Sequence, residues 1–199
     1  MRPDSAGDRC KAVAESAREL LSARVTIRPA RSDDLATLIE IERAAGDMFR
    51  SVGMDLVADD DPGSVGELLA YAEGGRAFVA VDASERKVGY VIFDIVDRAA
   101  HIEQVSVHPD CARRGIGQAL IERTASWARE HGLAGLTLTT YVDVPWNSPY
   151  YERLGFCYVA SEDETPELQA IRLRERAQGL DAWPRACMRR NLAPRRLGC

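Results

Sequence analysis

The chain has 199 residues, of which 46% are hydrophobic and 29% are charged. These values are ordinary for one globular domain with a substantial core. A formal net charge of −5 argues against a nucleic-acid partner, and no apolar run is long enough to cross a membrane. The amino-terminal stretch lacks the apolar segment of a secretory signal, so we expect a cytoplasmic protein.

The cysteines are widely spaced, at Cys10, Cys111, Cys157, Cys187 and Cys199. Their odd number and the lack of a C-x-x-C pair predict reduced thiols rather than a disulfide framework. The chain has three histidines without the close spacing of metal ligands, so we predict no metal site.

The first part of the chain alternates between helical and extended patterns. Residues 1–23 are predicted to form a helical extension, residues 24–192 one domain, and residues 193–199 a tail. Residues 24–29 read as a strand. A helix is expected after Ser32, predicted to be its N-cap, with a stripe at Leu35, Leu38, Ile39 and Ile41.

A sheet is predicted next. After a loop over residues 46–61 and a short helix near residues 64–72, three segments rich in Val, Ile, Phe and Tyr read as strands: 76–82, 87–96 and 100–107. The links between them are short, which predicts antiparallel pairing.

The second half predicts a strand–helix–strand crossover. A helix follows Gly115, ends at Gly132, and leads to a strand at residues 135–142, which normally makes a parallel pair. Further segments are a helix at 149–154, a strand at 156–162, a helix at 166–178 capped by Thr165, and a strand at 186–192. The predicted fold is therefore mixed α/β, with a mostly antiparallel sheet, a central strand–helix–strand unit and flanking helices.

The stretch "ARRGIGQALI" at residues 112–121 begins the long helix with two glycines and two arginines. Glycines let the backbone approach a ligand, and the first N–H groups of a helix are unpaired donors. Together with the helix dipole they suit a phosphate, and the arginines would add charge-assisted donors. A plain tight turn with solvated arginines is the alternative. The third glycine of a dinucleotide fingerprint is missing, as is the P-loop pattern.

The order of "VSVHPDCARRGIGQALI" and "NSPYYERLGF" resembles the GNAT superfamily of N-acetyltransferases, over roughly residues 25–192. The resemblance implies the GNAT fold, acetyl-coenzyme A (acetyl-CoA) as co-substrate, and an acyltransferase activity. It implies that the turn holds the pyrophosphate and that the preceding strand binds the pantetheine arm through its main chain. The implied contacts are Val105, Ser106, Val107, Arg113, Arg114, Gly115, Ile116, Gly117, Gln118, Ala119 and Asn147.

Two features depart from the family pattern Q/R-x-x-G-x-G/A. With Gly115 and Gly117 as the glycine pair, its first position is Ala112, so Arg113 and Arg114 would have to carry the charge. Alternatively, the register shifts so that Arg114, Gly117 and Ala119 fill the pattern. In addition, Asn147 precedes Tyr151 by fewer residues than is usual.

Acetyl transfer to an amine needs a base for the ammonium group and an acid for the leaving thiolate. Glu103 is the predicted base, because period-2 alternation puts it on the face of Val105 in the strand that would carry the thioester. His101 is the alternative base. Tyr151 matches the family's tyrosine and is the predicted acid, whereas Tyr150 is expected to be structural.

Several alternatives remain open. Direct attack in a ternary complex is preferred over an acetyl-cysteine intermediate on Cys111 or Cys157. The acceptor is expected to be a primary amine of a small molecule. The acids in the segment 46–71 would suit a cationic, partly apolar amine, and a solvated acidic loop is the alternative interpretation of this segment. Alternatives are a protein amino terminus or lysine, or a non-catalytic acyl-CoA-binding module. The sequence leaves open whether the chain forms a homodimer.

Overall fold

The computed structural model describes residues 25–192; the predicted extension at residues 1–23 and the tail at 193–199 lie outside this range. Within it, seven strands form one sheet in the order β1-β2-β3-β4-β5-β7-β6. The strands are β1 Val25–Pro29, β2 Ala77–Asp82, β3 Lys87–Val96, β4 Ala99–Val107, β5 Gly135–Tyr141, β6 Cys157–Tyr158 and β7 Arg185–Asn191. The pair β4–β5 is parallel and all other neighbours are antiparallel, which confirms the predicted fold.

Between residues 25 and 192 the α-helices are α1 Leu35–Gly46, α2 Asp55–Ala58, α3 Val65–Glu73, α4 Ile116–Glu130, α5 Ser148–Arg153 and α6 Pro166–Ala177. Two helix ends are as the sequence predicted. Gly132 follows α4 with a φ of +69°, a conformation that suits glycine. The Thr165 side chain accepts a hydrogen bond from the Leu168 N–H and caps α6.

The start of α1 differs from the prediction, because Ser32 is not its N-cap. Asp34 precedes the helix, and its buried carboxylate binds the Arg28 guanidinium through two hydrogen bonds of 2.6 and 2.9 Å. The same carboxylate accepts a hydrogen bond from the Arg31 N–H. These contacts close a turn over residues 32–34, so the helix begins three residues later than Ser32.

The predicted loop over residues 46–61 contains two helical segments. Gly46 has right-handed helical angles, so the chain coils on from α1 into a 3-10 helix at Asp47–Val52 before α2. Conversely, the strand predicted at residues 156–162 is limited to the two residues of β6. The chain then enters a 3-10 turn at Ser161–Asp163.

The helices cover both faces of the sheet. On one face α4 packs Leu120, Ile121 and Trp127 against Phe93 and other residues of the largest core cluster. On the other face α1 and α3 cover β2 and β3, and α6 covers a smaller cluster that includes Cys187. No helix among residues 25–192 is long and apolar enough to span a bilayer.

A β-bulge in β4 changes the course of the sheet. Ile92 pairs with Gln104, but the next residue of β3, Phe93, pairs with Ile102, so Glu103 has no partner in β3. On its other side β4 pairs with β5 only from Ala99 to Ile102. Because bulges bend a strand and increase its twist, β4 leaves β5 at this point, and a cleft opens between them.

Candidate active site

The cleft exposes main-chain groups of β4. From Gln104 to Val107 the strand is paired with β3 alone, while β5 continues from Thr139 with β7 as its partner. The N–H and C=O groups of β4 that point towards β5 therefore lack a strand partner there. An extended ligand that carries amides can pair with such an edge as an added strand. The pantetheine arm of coenzyme A carries amides and has this chemistry.

The bulge also corrects the predicted arrangement of side chains along β4. Val105 packs against the same core cluster as Ala100 and Ile102, on the α4 face of the sheet. His101 lies on the opposite face, where it contacts Thr137. The extra residue Glu103 breaks the period-2 alternation, so Glu103 and Val105 do not share a face as the sequence predicted.

The glycine–arginine turn lies at the carboxyl end of β4, where the cleft opens. Gly115 precedes α4 with a φ of +79° and provides no side-chain cap, and the first turn has no acidic residue. The first helical hydrogen bond runs from the Ala119 N–H to the Gly115 carbonyl at 2.9 Å. The preceding N–H groups, of Ile116, Gly117 and Gln118, are thus available to an anion. In α3, by contrast, the Ser64 side chain caps the helix.

Both arginines of the turn are exposed at its surface. Arg113 has a φ of +61°, a left-handed conformation that non-glycine residues adopt rarely. The turn thus holds an arginine where glycine would be less strained. This conformation directs the chain from the 3-10 turn at Pro109–Cys111 into Gly115.

The opposite side of the cleft mouth is formed by the segment that follows β5. The Asn147 carbonyl accepts hydrogen bonds from the N–H groups of Tyr150 and Tyr151, at 2.8 and 3.0 Å, and so starts α5. Tyr151 packs against the core cluster, with Phe156 at 5.7 Å between ring centroids. Burial raises the pKa of the Tyr151 phenol, which therefore stays protonated at neutral pH.

Glu103 and His101 lie close to the charges of α6. Although Glu103 is exposed in part, the surrounding protein removes enough water to raise the pKa of its carboxyl, while Arg174 acts in the opposite direction. His101 is only 1% exposed, and burial lowers its pKa to about 4. At neutral pH His101 is therefore an uncharged imidazole, 2.9 Å from the Thr137 hydroxyl.

A buried polar network fixes α6 to the sheet. Glu175 accepts hydrogen bonds from the Thr139 hydroxyl on β5 and from Arg185 Nη2 on β7, the second at 2.8 Å. Arg172 Nη1 lies 3.2 Å from the same carboxylate. Because a buried charge is costly without a partner, these arginines stabilise Glu175 in this position.

An aromatic cluster lies next to this network. It consists of Phe49, Met54, Tyr141, Val144, Trp146 and Trp183, with some contribution from Val57. The Arg185 guanidinium lies over the Tyr141 ring, 4.5 Å from its centroid, and Phe49 meets the same ring edge-on at 5.7 Å. The Tyr141 hydroxyl is buried and has no hydrogen-bond partner among the described residues.

The cleft, the uncapped helix and the tyrosine on the opposite side agree with a comparison of the sequence with known families. Residues 40–156 match the acetyltransferase (GNAT) family. The chain belongs to the GNAT family. It is an acyltransferase that acts on an acceptor, with acetyl-CoA as its co-substrate.

Individual relatives support this membership. A streptothricin acetyltransferase from Streptomyces lavendulae is 35% identical over 134 residues, which cover 62% of this chain and 70% of that protein. Among solved structures, the ribosomal-protein-S18-alanine N-acetyltransferase from Escherichia coli has a TM-score of 0.57 at 19% identity, covering 88% of this chain and 99% of that one. The PaiA N-acetyltransferase from Thermoplasma acidophilum, in complex with coenzyme A, has a TM-score of 0.62 at 17% identity, covering 84% and 99%. At these identities the structures show the shared fold.

Sequence reasoning missed the residues that α6 and β7 bring to this GNAT site. Glu175 and Arg185 lie beyond the residues that match the family, and their spacing along the chain has no recognisable pattern. A charged residue on the inner face of α6, among the apolar positions Leu168 and Ile171, was the signal in the sequence.

The buried imidazole of His101 predicts a loss of stability in acid. The neutral side chain stabilises the fold fully above pH 6.5, the value for the unfolded chain, and this contribution is lost as the pH falls towards about 4. Between pH 6.5 and about pH 4, the free energy of unfolding should fall by about 1.4 kcal/mol for each unit by which the pH is lowered. Urea unfolding of the wild type and His101→Asn at several pH values checks this. The variant should show a slope lower by that amount, and equal slopes would contradict the prediction.

Proposed function

We propose that the protein transfers the acetyl group of acetyl-CoA to a primary amine of a small molecule, by direct attack in a ternary complex. The observation that carries the proposal is the separation of β4 from β5, with an uncapped helix at its mouth. Acetyl-CoA supplies the activated acetyl thioester. The main chain of Val105, Ser106 and Val107 binds the pantetheine arm.

The pyrophosphate is bound at the turn before α4. The residues proposed to bind it are Gly115, Ile116, Gly117, Gln118 and Ala119; the free N–H groups of Ile116, Gly117 and Gln118 and the helix dipole favour an anion. Arg113 and Arg114 supply positive charge. Asn147, on the opposite side of the mouth, completes the set of binding residues.

Glu103 acts as the base that removes a proton from the ammonium group of the acceptor. Its raised pKa makes the carboxylate a better proton acceptor than an ordinary glutamate, while the nearby charge of Arg174 favours its ionised form. The imidazole of His101 has a pKa of about 4 and is almost fully buried, which makes it the weaker candidate. Tyr151, protonated at neutral pH, donates the proton that the departing thiolate needs.

The aromatic cluster and the acids next to it suit a cationic, partly apolar acceptor. Three of the acids predicted to attract the amine, Asp47, Asp55 and Asp59, lie within 3.6 Å of Arg50, whose single positive charge offsets one of their three negative charges. Burial raises the pKa of Tyr141 in the cluster, and the negative charge of Asp60 adds to this increase. A small molecule is favoured over a peptide because Phe49, Trp146 and Trp183 pack together there.

A relative that is 35% identical is named streptothricin acetyltransferase, which also supports a small-molecule acceptor. An acetyl-cysteine intermediate is less well supported, because Cys111 is 7% exposed within the core cluster and Cys157 lies on β6 at the sheet edge. The competing candidate, a non-catalytic acyl-CoA-binding module, would have no use for both Glu103 and Tyr151.

An acceptor screen tests the proposed function. Release of free coenzyme A from acetyl-CoA is followed with streptothricin, aryl-alkylamines, polyamines, aminoglycosides, amino acids and short peptides. We expect turnover with at least one small primary amine and none with the peptides. Binding of acetyl-CoA without turnover of any acceptor would favour the binding module, and ping-pong kinetics would contradict direct attack.

Tyr151→Phe tests the acid. Loss of the phenol should lower kcat about 100-fold, as is typical of general acid catalysis, and should leave the affinity for acetyl-CoA within about twofold of wild type. Steady-state kinetics and calorimetry measure the two quantities. Tyr158→Phe, on an exposed tyrosine of β6, is the matched control. A kcat for Tyr151→Phe within about twofold of wild type would end the assignment.

Arg113→Ala and Arg114→Ala test the charge at the turn. Substitution of the arginine that contacts phosphate should weaken coenzyme A binding about tenfold. This loss of affinity should be smaller at high salt. Arg113→Gly is a useful partner to Arg113→Ala, since both remove the charge but glycine relieves the strain at a φ of +61°. If neither substitution changes the affinity for coenzyme A, the proposed role of these side chains is wrong.

A further inference from the structure

The hydroxyl of Tyr150 lies against the first turn of α4. A methyl group built on Gly117 would come within 3.0 Å of the Tyr150 oxygen and 3.8 Å of Val107 Cγ2. The Tyr150 oxygen and Val107 Cγ2 therefore both border the small space next to the Gly117 Cα atom. The space that a side chain at position 117 would need is thus occupied by the tyrosine hydroxyl.

This contact joins the two sides of the cleft mouth. Tyr150 belongs to α5, which follows β5, whereas Gly117 belongs to α4, which follows β4. The ring packs against the core cluster, and the Arg153 guanidinium lies 5.9 Å from its centroid. The ring alone would satisfy this packing, so the packing does not explain the hydroxyl.

The surroundings of the hydroxyl call for an acceptor. Burial raises the pKa of Tyr150 to about 12, so the phenol carries its proton at neutral pH. The hydroxyl lies beside Gly117, in the first turn of α4, where the main-chain N–H groups have no partner within the helix. A hydroxyl beside this turn can donate to the same oxygen as the N–H groups, and an anionic oxygen accepts such hydrogen bonds most strongly.

We propose that the Tyr150 hydroxyl donates a hydrogen bond to a pyrophosphate oxygen of bound coenzyme A, alongside the N–H groups of α4. This inference rests on the proposed function and adds a binding residue to it. Tyr150 is then more than the structural residue that the sequence suggested. Gly117 is required both for the approach of the ligand and for the position of this hydroxyl.

Tyr150→Phe tests the inference by titration calorimetry with coenzyme A. The variant keeps the ring and should bind coenzyme A about tenfold more weakly. Pantetheine, which lacks the pyrophosphate, serves as a second probe by ligand-observed NMR, and its affinity should agree within twofold between wild type and variant. Tyr158→Phe is the control for a tyrosine elsewhere, and thermal unfolding verifies that each variant is folded.

The outcomes separate the inference from the function on which it rests. If wild-type protein does not bind coenzyme A, the proposed function fails. If the wild type binds but Tyr150→Phe binds coenzyme A within twofold of it, the inference fails. An equal loss for coenzyme A and pantetheine would also overturn it, because the hydroxyl would then act on the cleft as a whole.

Discussion

Glu103 has no partner in β3, and from this residue onward β4 can no longer follow β5. The rest of the site depends on this single extra residue. It frees the edge of β4 for an extended ligand, and it directs the glycine turn and α5 to opposite sides of one opening. A regular strand here would continue the parallel pairing and close the cleft.

The sheet also separates the α4 side, proposed to bind the cofactor, from the α6 side, proposed to bind the acceptor. The helix α4 covers one face, and its first turn lies at the carboxyl end of β4, where ligands of α/β sheets commonly bind. The other face carries His101, the charges of α6 and the aromatic cluster. A thioester in the cleft would therefore be accessible to an amine from the α6 side without disturbance of the phosphate contacts.

The sequence predicted the parts that depend on local patterns. The long helix after Gly115, its end at Gly132 and the parallel crossover follow from short-range signals, and "ARRGIGQALI" and "NSPYYERLGF" identified the family. The bulge at Glu103 could not be predicted, since an extra residue in a strand leaves the apolar pattern almost unchanged. Ser32 was mistaken for a cap because the buried pair of Arg28 and Asp34 is a tertiary contact. The Glu175 network depends in the same way on distant residues.

The segment between β6 and β7 has a further consequence, for how this protein can diversify. Tyr158 pairs with Met188, so the chain leaves and re-enters the sheet at neighbouring positions, and residues 159–184 form a closed excursion between them. The entropy of closing such an excursion changes slowly with its length. Insertions or deletions in residues 178–184, between α6 and β7, would thus leave α6 and the cleft in place while they alter the Trp183 end of the aromatic cluster. The architecture makes the acceptor side exchangeable and keeps the donor side constant.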